Sequence, residues 1–171
     1  GIIKNVGITQ ELIRKKNGYY LSVISDLSFT KKDIGTSISC SGVCLTLTSF
    51  KKNKKKNILS FYLSKHTVAT SAFKHLKSGD FINIEKSMKY GDEFAGHFVQ
   101  GHVDTTIKIL NINSNNKKSW IIFFNIPKKF KKFLIEKGSI SINGVSLTIA
   151  KIFSNKFKVV IIPHTLKNTN L

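Results

Sequence analysis

Two residues of this sequence stand where a nucleophile could act, in matching contexts. Cys44 lies in Ser41-Gly42-Val43-Cys44-Leu45-Thr46-Leu47, and Ser146 in Asn143-Gly144-Val145-Ser146-Leu147-Thr148-Ile149. Each copy runs polar residue, glycine, apolar residue, small reactive residue, then Leu-Thr-aliphatic. A thiol acts as a nucleophile once it is a thiolate, whereas a serine hydroxyl needs a neighbouring base. The copies therefore differ where chemistry could sit, which points to a site that uses both halves. The plain alternative is that Cys44 is a small buried hydrophobe and that Thr46 and Thr148 are ordinary strand formers. Of the five histidines, His102 has a side chain suited to general base work near neutral pH. His97 and His102 are five apart with no acidic or cysteine pattern around them, so no metal is expected.

The elements that would position these residues are short strands. Gly1 to Ile8, Tyr19 to Asp26, Thr36 to Ser41, Cys44 to Phe50, Ile58 to Leu63 and Phe81 to Glu85 read as six strands, on alternation and β-rich composition. Gly42-Val43 reads as a tight turn and the lysine-rich stretch from Lys51 to Asn57 as a solvated loop. His66 to Leu76 reads as one helix capped by Thr67, with Val68, Ala72, Phe73 and Leu76 on its inner face. Lys86 to Phe94 shows no periodicity and reads as a linker. The pattern then restarts. Val99 to Val103 would open a strand, Ser119 to Ile126 is an apolar strand, and Lys128 to Lys137 is a short amphipathic helix with Phe130, Phe133 and Leu134 inward. Ile140 to Ile142 leads into the second motif, and Phe157 to Ile162 is a further strand.

Three segments repeat in the same order: Gly1-Ile2-Ile3 with Gly101-His102-Val103, the Gly-Val-(Cys/Ser)-Leu-Thr motif, and His66-Thr67-Val68 with His164-Thr165-Leu166. Their offsets are 98 to 102 residues. One such match is easily fortuitous; three in order imply a duplication, with halves 1–90 and 91–171. Many short strands and one short helix per half predict an all-β chain of two similar, tandem six-stranded barrels. The second copy lacks a counterpart of the Phe81 to Glu85 strand, so its C-terminal end is expected to be missing and the native polypeptide to be longer, unless this copy is degenerate. The absence of an initiating Met likewise suggests trimming or omission before Gly1.

Bulk composition narrows the classes. At 171 residues and 41% hydrophobic the chain can bury a core. No run of about 18 apolar residues exists, so no membrane span is expected, and no signal peptide is evident. Cys40 and Cys44 on one strand would lie about 13 Å apart, too far for a disulfide. Reduced thiols and a cytoplasmic location are expected. The net charge of +19 could mark a nucleic-acid partner. Its lysines instead cluster in loops (Lys51, Lys52, Lys54 to Lys56; Lys117 and Lys118; Lys128 to Lys132 around Phe130) without the regular aromatic interleaving of a stacking platform. We read the charge as general enrichment in Lys, Asn and Ile, and expect no nucleic acid.

The segments Gly42-Val43-Cys44-Leu45-Thr46, Gly96-His97-Phe98-Val99-Gln100-Gly101-His102-Val103-Asp104, Gly144-Val145-Ser146-Leu147-Thr148 and Ile162-Pro163-His164-Thr165-Leu166 resemble the riboflavin synthase family from Gly1 to Leu171. The resemblance implies two Greek-key barrels, a homotrimer, and a dismutation of two 6,7-dimethyl-8-ribityllumazine molecules to riboflavin and 5-amino-6-(ribitylamino)uracil. It implies no metal or organic cofactor, and an active site between unlike barrels of neighbouring subunits. It assigns the chemistry to Cys44, His102, Ser146 and Thr148. It places the substrates against Gly1, Ile2, Ile3, Ser41, Leu45, Thr46, Tyr62, Leu63, Ser64, Lys65, His66, Thr67, Gly101, Val103, Lys137, Leu147, Ile162, Pro163, His164, Thr165, Leu166 and Lys167. Hydroxyls of Thr46, Ser64, Thr67, Thr148 and Thr165 would meet the ribityl chains. Tyr62, His66 and His164 stand where the family commonly has an acidic residue. A non-catalytic lumazine- or flavin-binding relative is the alternative.

Overall fold

The computed structural model describes residues 1–53, 56–115 and 119–171. Lys54, Lys55, Lys117 and Lys118 lie outside the described residues.

The first half is a closed barrel of six strands in the order β1-β2-β5-β4-β3-β6. They are β1 (Asn5–Arg14), β2 (Gly18–Ser25), β3 (Ser37–Cys40), β4 (Val43–Asn53), β5 (Lys56–Ser64) and β6 (Phe81–Lys86). Alternation sets which side faces in: along β5, Asn57, Leu59, Phe61 and Leu63 are buried and their neighbours are not. With Leu21, Leu47, Ile82 and Ile84 these side chains fill the barrel, each apolar one contributing about 1.5–3 kcal/mol on burial. β4 and β5 are longer than their apolar pattern predicts. The stretch expected as a loop pairs instead, Lys51 with Ile58 and Lys52 with Asn57, because the ladder needs backbone groups and not apolar side chains.

The second half is a five-stranded sheet in the order β7-β8-β11-β10-β9: β7 (Ile109–Asn115), β8 (Ser119–Asn125), β9 (Ser139–Ile142), β10 (Val145–Ile152) and β11 (Lys156–Ile161). Its own core centres on Phe124, Phe157, Ile149 and Ile161, the two phenyl rings stacked at 5.4 Å. In the first half Asn5–Ile8 form strand by pairing with β6. The second sheet has no strand in that position among the described residues. Accordingly Val99–Val103, a strand on the sequence pattern, is not one, and the ladder starts only at Ile109, facing Phe124.

The helices also depart from expectation. α1 covers only Lys65–Thr70, and a 3-10 turn, Ala72–His75, follows. Its cap is Ser64, whose Oγ accepts from Thr67 N at 3.0 Å, so Thr67 lies inside the first turn. Ser71 breaks the register and is buried, while Ala72 is exposed. Lys128–Phe133 is likewise a 3-10 turn, which turns Phe133 out to 67% exposure and leaves Leu134 on the core. α2 spans Pro163–Asn168. No described helix is long and apolar enough to cross a membrane.

The two motif turns meet. Ser41-Gly42 and Asn143-Gly144 have positive φ at both residues (45° and 82°, 48° and 80°), the requirement of a two-residue type I′ hairpin. A Cβ on Gly42 would sit 2.7 Å from Gly144 N, and one on Gly144 equally close to Gly42 N. Gly42→Ala is therefore expected to lose roughly 1–3 kcal/mol from left-handed strain, and more from the contact with Gly144, lowering Tm by at least about 2–12 °C in a chain of this size. A thermal melt within about 2 °C of wild type would refute the close contact.

Candidate active site

In each half the outward side chains of the motif strand line a wedge between two diverging strands. β4 pairs with β5 only from Leu47 and Phe61 onward. Before that point Val43–Thr46 pair with β3, and Tyr62–Ser64 pair with β2. Cys44 and Thr46 face out along one side of the wedge and Tyr62 and Ser64 along the other. α1 continues directly from Ser64, with exposed Lys65 and His66, and the Ser64 and Thr67 hydroxyls share a hydrogen bond at 2.9 Å. Tyr62 is 42% exposed and meets Tyr20 edge-on. Leu45 and Leu63 point into the core at 4% and 1% exposure. Only their backbones could meet a ligand.

The second wedge repeats this. β10 pairs with β11 from Ile149 and Val159 onward, while Val145–Thr148 pair with β9. Ser146 and exposed Thr148 face out, and exposed Ile162, Pro163 and His164 lead into α2. Thr165 and Leu166 are half-buried, Leu166 against the second core, and Lys167 is exposed. Leu147, at 9%, is a core residue. Lys137 is exposed with φ 65°, and its backbone N–H donates to the Ile149 carbonyl at 2.8 Å.

The leading segments of the two repeats cross over. Cys44 N donates to the Gly101 carbonyl at 2.8 Å, and Ser146 N donates to the Gly1 carbonyl at 2.8 Å. Val103 packs on the first core and Ile3 on the second. A Cβ at Gly101 would lie 2.7 Å from Cys44 Cβ, so this crossing needs glycine. Each wedge is thus completed by the other repeat's leading residues.

The histidine beside Ser146 is His97, not His102. His97 Nδ1 lies 2.7 Å from Ser146 Oγ. Gly96, with φ 79°, lets the backbone pass this hydroxyl: a Cβ there would be 3.1 Å from Oγ. Burial holds His97 below the ordinary histidine value of 6.5, so at neutral pH the ring is uncharged and Nδ1 can accept the hydroxyl proton. His102 is exposed, and no side-chain hydrogen bond to it is present among the described residues. The sequence did hold a signal for His97, since Gly96-His97 and Gly101-His102 form one repeated pair. Choosing between them takes the third dimension.

A cleft of about 610 Å³ runs between the 92–101 segment and β3 and β6, a ligand-sized volume. Cys44 and His97 both line it, with Ser39, Glu85 and Phe98. Glu85 Oε1 accepts from Gly1 N and Ile2 N at 2.9 and 3.1 Å. Ser39 Oγ is buried with no partner among the described residues. Sequence reasoning missed Glu85 and Ser39, which belong to no motif. Both cysteines are free. Burial pushes the Cys40 thiol far up, so it is inert. Half-exposed Cys44 is the accessible one.

The lumazine binding domain family matches residues 1–87 and 100–171, one domain for each half. The riboflavin synthases of Photobacterium phosphoreum and Actinobacillus pleuropneumoniae are 34% and 36% identical over 172 and 174 residues, covering 100% of this chain and 77% of each relative. The chain belongs to the riboflavin synthase family. Solved structures of LumP, one with 6,7-dimethyl-8-(1'-D-ribityl) lumazine and one with riboflavin, superpose with TM-scores of 0.81 and 0.83. They cover 99% of this chain and 89% and 90% of LumP, at 19% and 20% identity. That likeness shows a shared fold. Within the family frame, the two lumazine binding domains are the two wedged halves, and Cys44 and Ser146 are their corresponding residues.

Proposed function

We propose that this chain is a riboflavin synthase that converts two molecules of 6,7-dimethyl-8-ribityllumazine to riboflavin and 5-amino-6-(ribitylamino)uracil. The observation that carries the reading is the pair of homologous but chemically unlike half-sites, Cys44 under Gly101 and Ser146 under Gly1 with His97. A dismutation asks for this: two identical molecules must be treated differently. The four-carbon unit leaving one lumazine is gained by the other, so the atoms balance with no external oxidant or reductant.

The C7 methyl of lumazine is acidic because its carbanion delocalises into the ring. Neutral His97 takes a proton through the Ser146 hydroxyl in one half-site. In the other, Cys44 as thiolate, or a water held beside it, adds at C7 of the acceptor. Thr46, Ser64 and Thr67 on one side, and Thr148 and Thr165 on the other, bind the ribityl hydroxyls. Holding two rings face to face supplies a large share of the rate. Both wedges open to solvent in a single chain, so a homotrimer that sets one chain's first wedge against its neighbour's second would bring the rings together and shield them.

The test is lumazine alone with purified protein, followed by the absorbance of riboflavin. Stoichiometric release of the pyrimidine supports the reading. Ligand binding without turnover would make the chain a binding protein of the same family. His102, exposed here, would meet the substrates only when a neighbouring chain closes over it. His102→Gln is expected to lower kcat by about ten- to a hundredfold with binding retained, and wild-type turnover would remove it from the site.

A further inference from the structure

A polar seam joins the two halves at the turns that carry the reactive strands. Asn83, fully buried on β6, and Asn170, just beyond α2, bond reciprocally: Asn83 Nδ2 donates to Asn170 Oδ1, and Asn170 N donates to Asn83 Oδ1, both at 2.7 Å. Asn83 Nδ2 also donates to the Asn143 carbonyl at 2.9 Å. Asn170 Nδ2 donates to Ser41 Oγ at 3.2 Å and to the Phe81 carbonyl at 3.0 Å. Asn143 Nδ2 donates to Asn170 Oδ1 at 3.3 Å. Both amides thus use their full donor capacity, and a network whose donors are all used, centred on the fully buried Asn83, favours one geometry.

Ser41 and Asn143 occupy the same place in the two motifs, three residues before Cys44 and Ser146. Resting on the two half-sites proposed above, we infer that Asn170 is a positioning residue for both of them. One side chain holds the Ser41 turn and the Asn143 turn together, and so fixes the strand of Cys44 against the strand of Ser146. Among the described residues the latch has no second copy. By the offset of the His-Thr repeat, the counterpart of Asn170 is Ala72, which has no amide to return the contact. Asn170 also follows the helix whose start borders the second wedge, so a ligand seated there is mechanically tied to the Ser41 turn of the first.

Asn170→Asp tests this. It keeps size and Oδ1 but removes both donors: the Phe81 carbonyl is left facing a carboxylate oxygen, and Ser41 Oγ has to turn its own proton toward the new carboxylate to keep a bond. Asn155→Asp, on an exposed turn, controls for the charge. The direct readout is alkylation of Cys44 by iodoacetamide well below each variant's melting temperature, Cys40 being fully buried and silent. Asn170→Asp should speed alkylation at least about fivefold and lower kcat more than it raises KM, while the control stays within about twofold. Asn83→Ala and Asn170→Ala should be strongly non-additive in kcat, the double variant losing no more than the worse single one. An unchanged alkylation rate, or additive losses, would overturn the latch. Should Asn170→Asp not accumulate folded, Asn170→Thr gives the same comparison with one donor kept. If wild type made no riboflavin, the proposed reaction would fail while the alkylation arm still decided the seam.

Discussion

Exchange of His97 for Gln is expected to cut turnover by about a hundredfold or more, while the dissociation constant for lumazine changes less than about threefold. Gln can keep a hydrogen bond to Ser146 Oγ, 2.7 Å away in the wild type, but it cannot take the proton. The wild-type profile adds a second signature. Burial lowers the His97 value below 6.5, so the acid limb of kcat should lie below that pH and vanish in His97→Gln. The sign for stability agrees. The unfolded chain takes up the proton first on acidification, so stability is present above 6.5 and is lost as pH falls through the lower folded value. An unchanged acid limb in His97→Gln would transfer the titration to another group, and wild-type turnover would reduce the His97–Ser146 contact to packing.

This histidine also marks where the sequence stops being legible. The motif pair was readable because a duplication preserves local chemistry, but the sequence pattern sets the first turn one residue late, at Gly42-Val43: Ser41 and Gly42 carry the positive φ values, and Val43 already pairs with Cys40. The cores were readable from alternation along strands such as β5. The crossing of Gly1–Ile3 onto the second core, and of Gly101–Val103 onto the first, was not. Both segments read as strand on the sequence pattern but form none in the structure, and their partners lie 57 (Cys44 to Gly101) and 145 (Gly1 to Ser146) residues away. The same reason hid His97, since the 92–108 segment has no regular structure to say which way a side chain points. Lysine-rich strand ends in β4 and β5 read as loop because charge masked the alternation. Phe133 was misplaced because a 3-10 turn and an α-helix share their first residues but not their faces.

Mixing two damaged proteins should restore activity. Cys44→Ser removes the softer nucleophile from the first wedge, and Ser146→Ala removes the hydroxyl that His97 meets. Both changes are nearly isosteric on outward strand positions, so both chains should fold. Each alone is expected to lose about tenfold or more in kcat. Suppose a reaction centre pairs the first wedge of one subunit with the second wedge of its neighbour. Equal mixing with subunit exchange then sets an intact Cys44 wedge against an intact Ser146 wedge at about one quarter of the interfaces, so activity should recover toward about a quarter of wild type. If instead each centre is built within one chain, no mixture can contain an intact one, and activity stays at the mean of the two variants. Slow growth of activity after mixing, at the rate of subunit exchange, would identify the first arrangement. Full activity in both single variants would mean that Cys44 and Ser146 only pack against Gly101 and Gly1, and that the repeated motif marks the turn that joins the halves and not the chemistry.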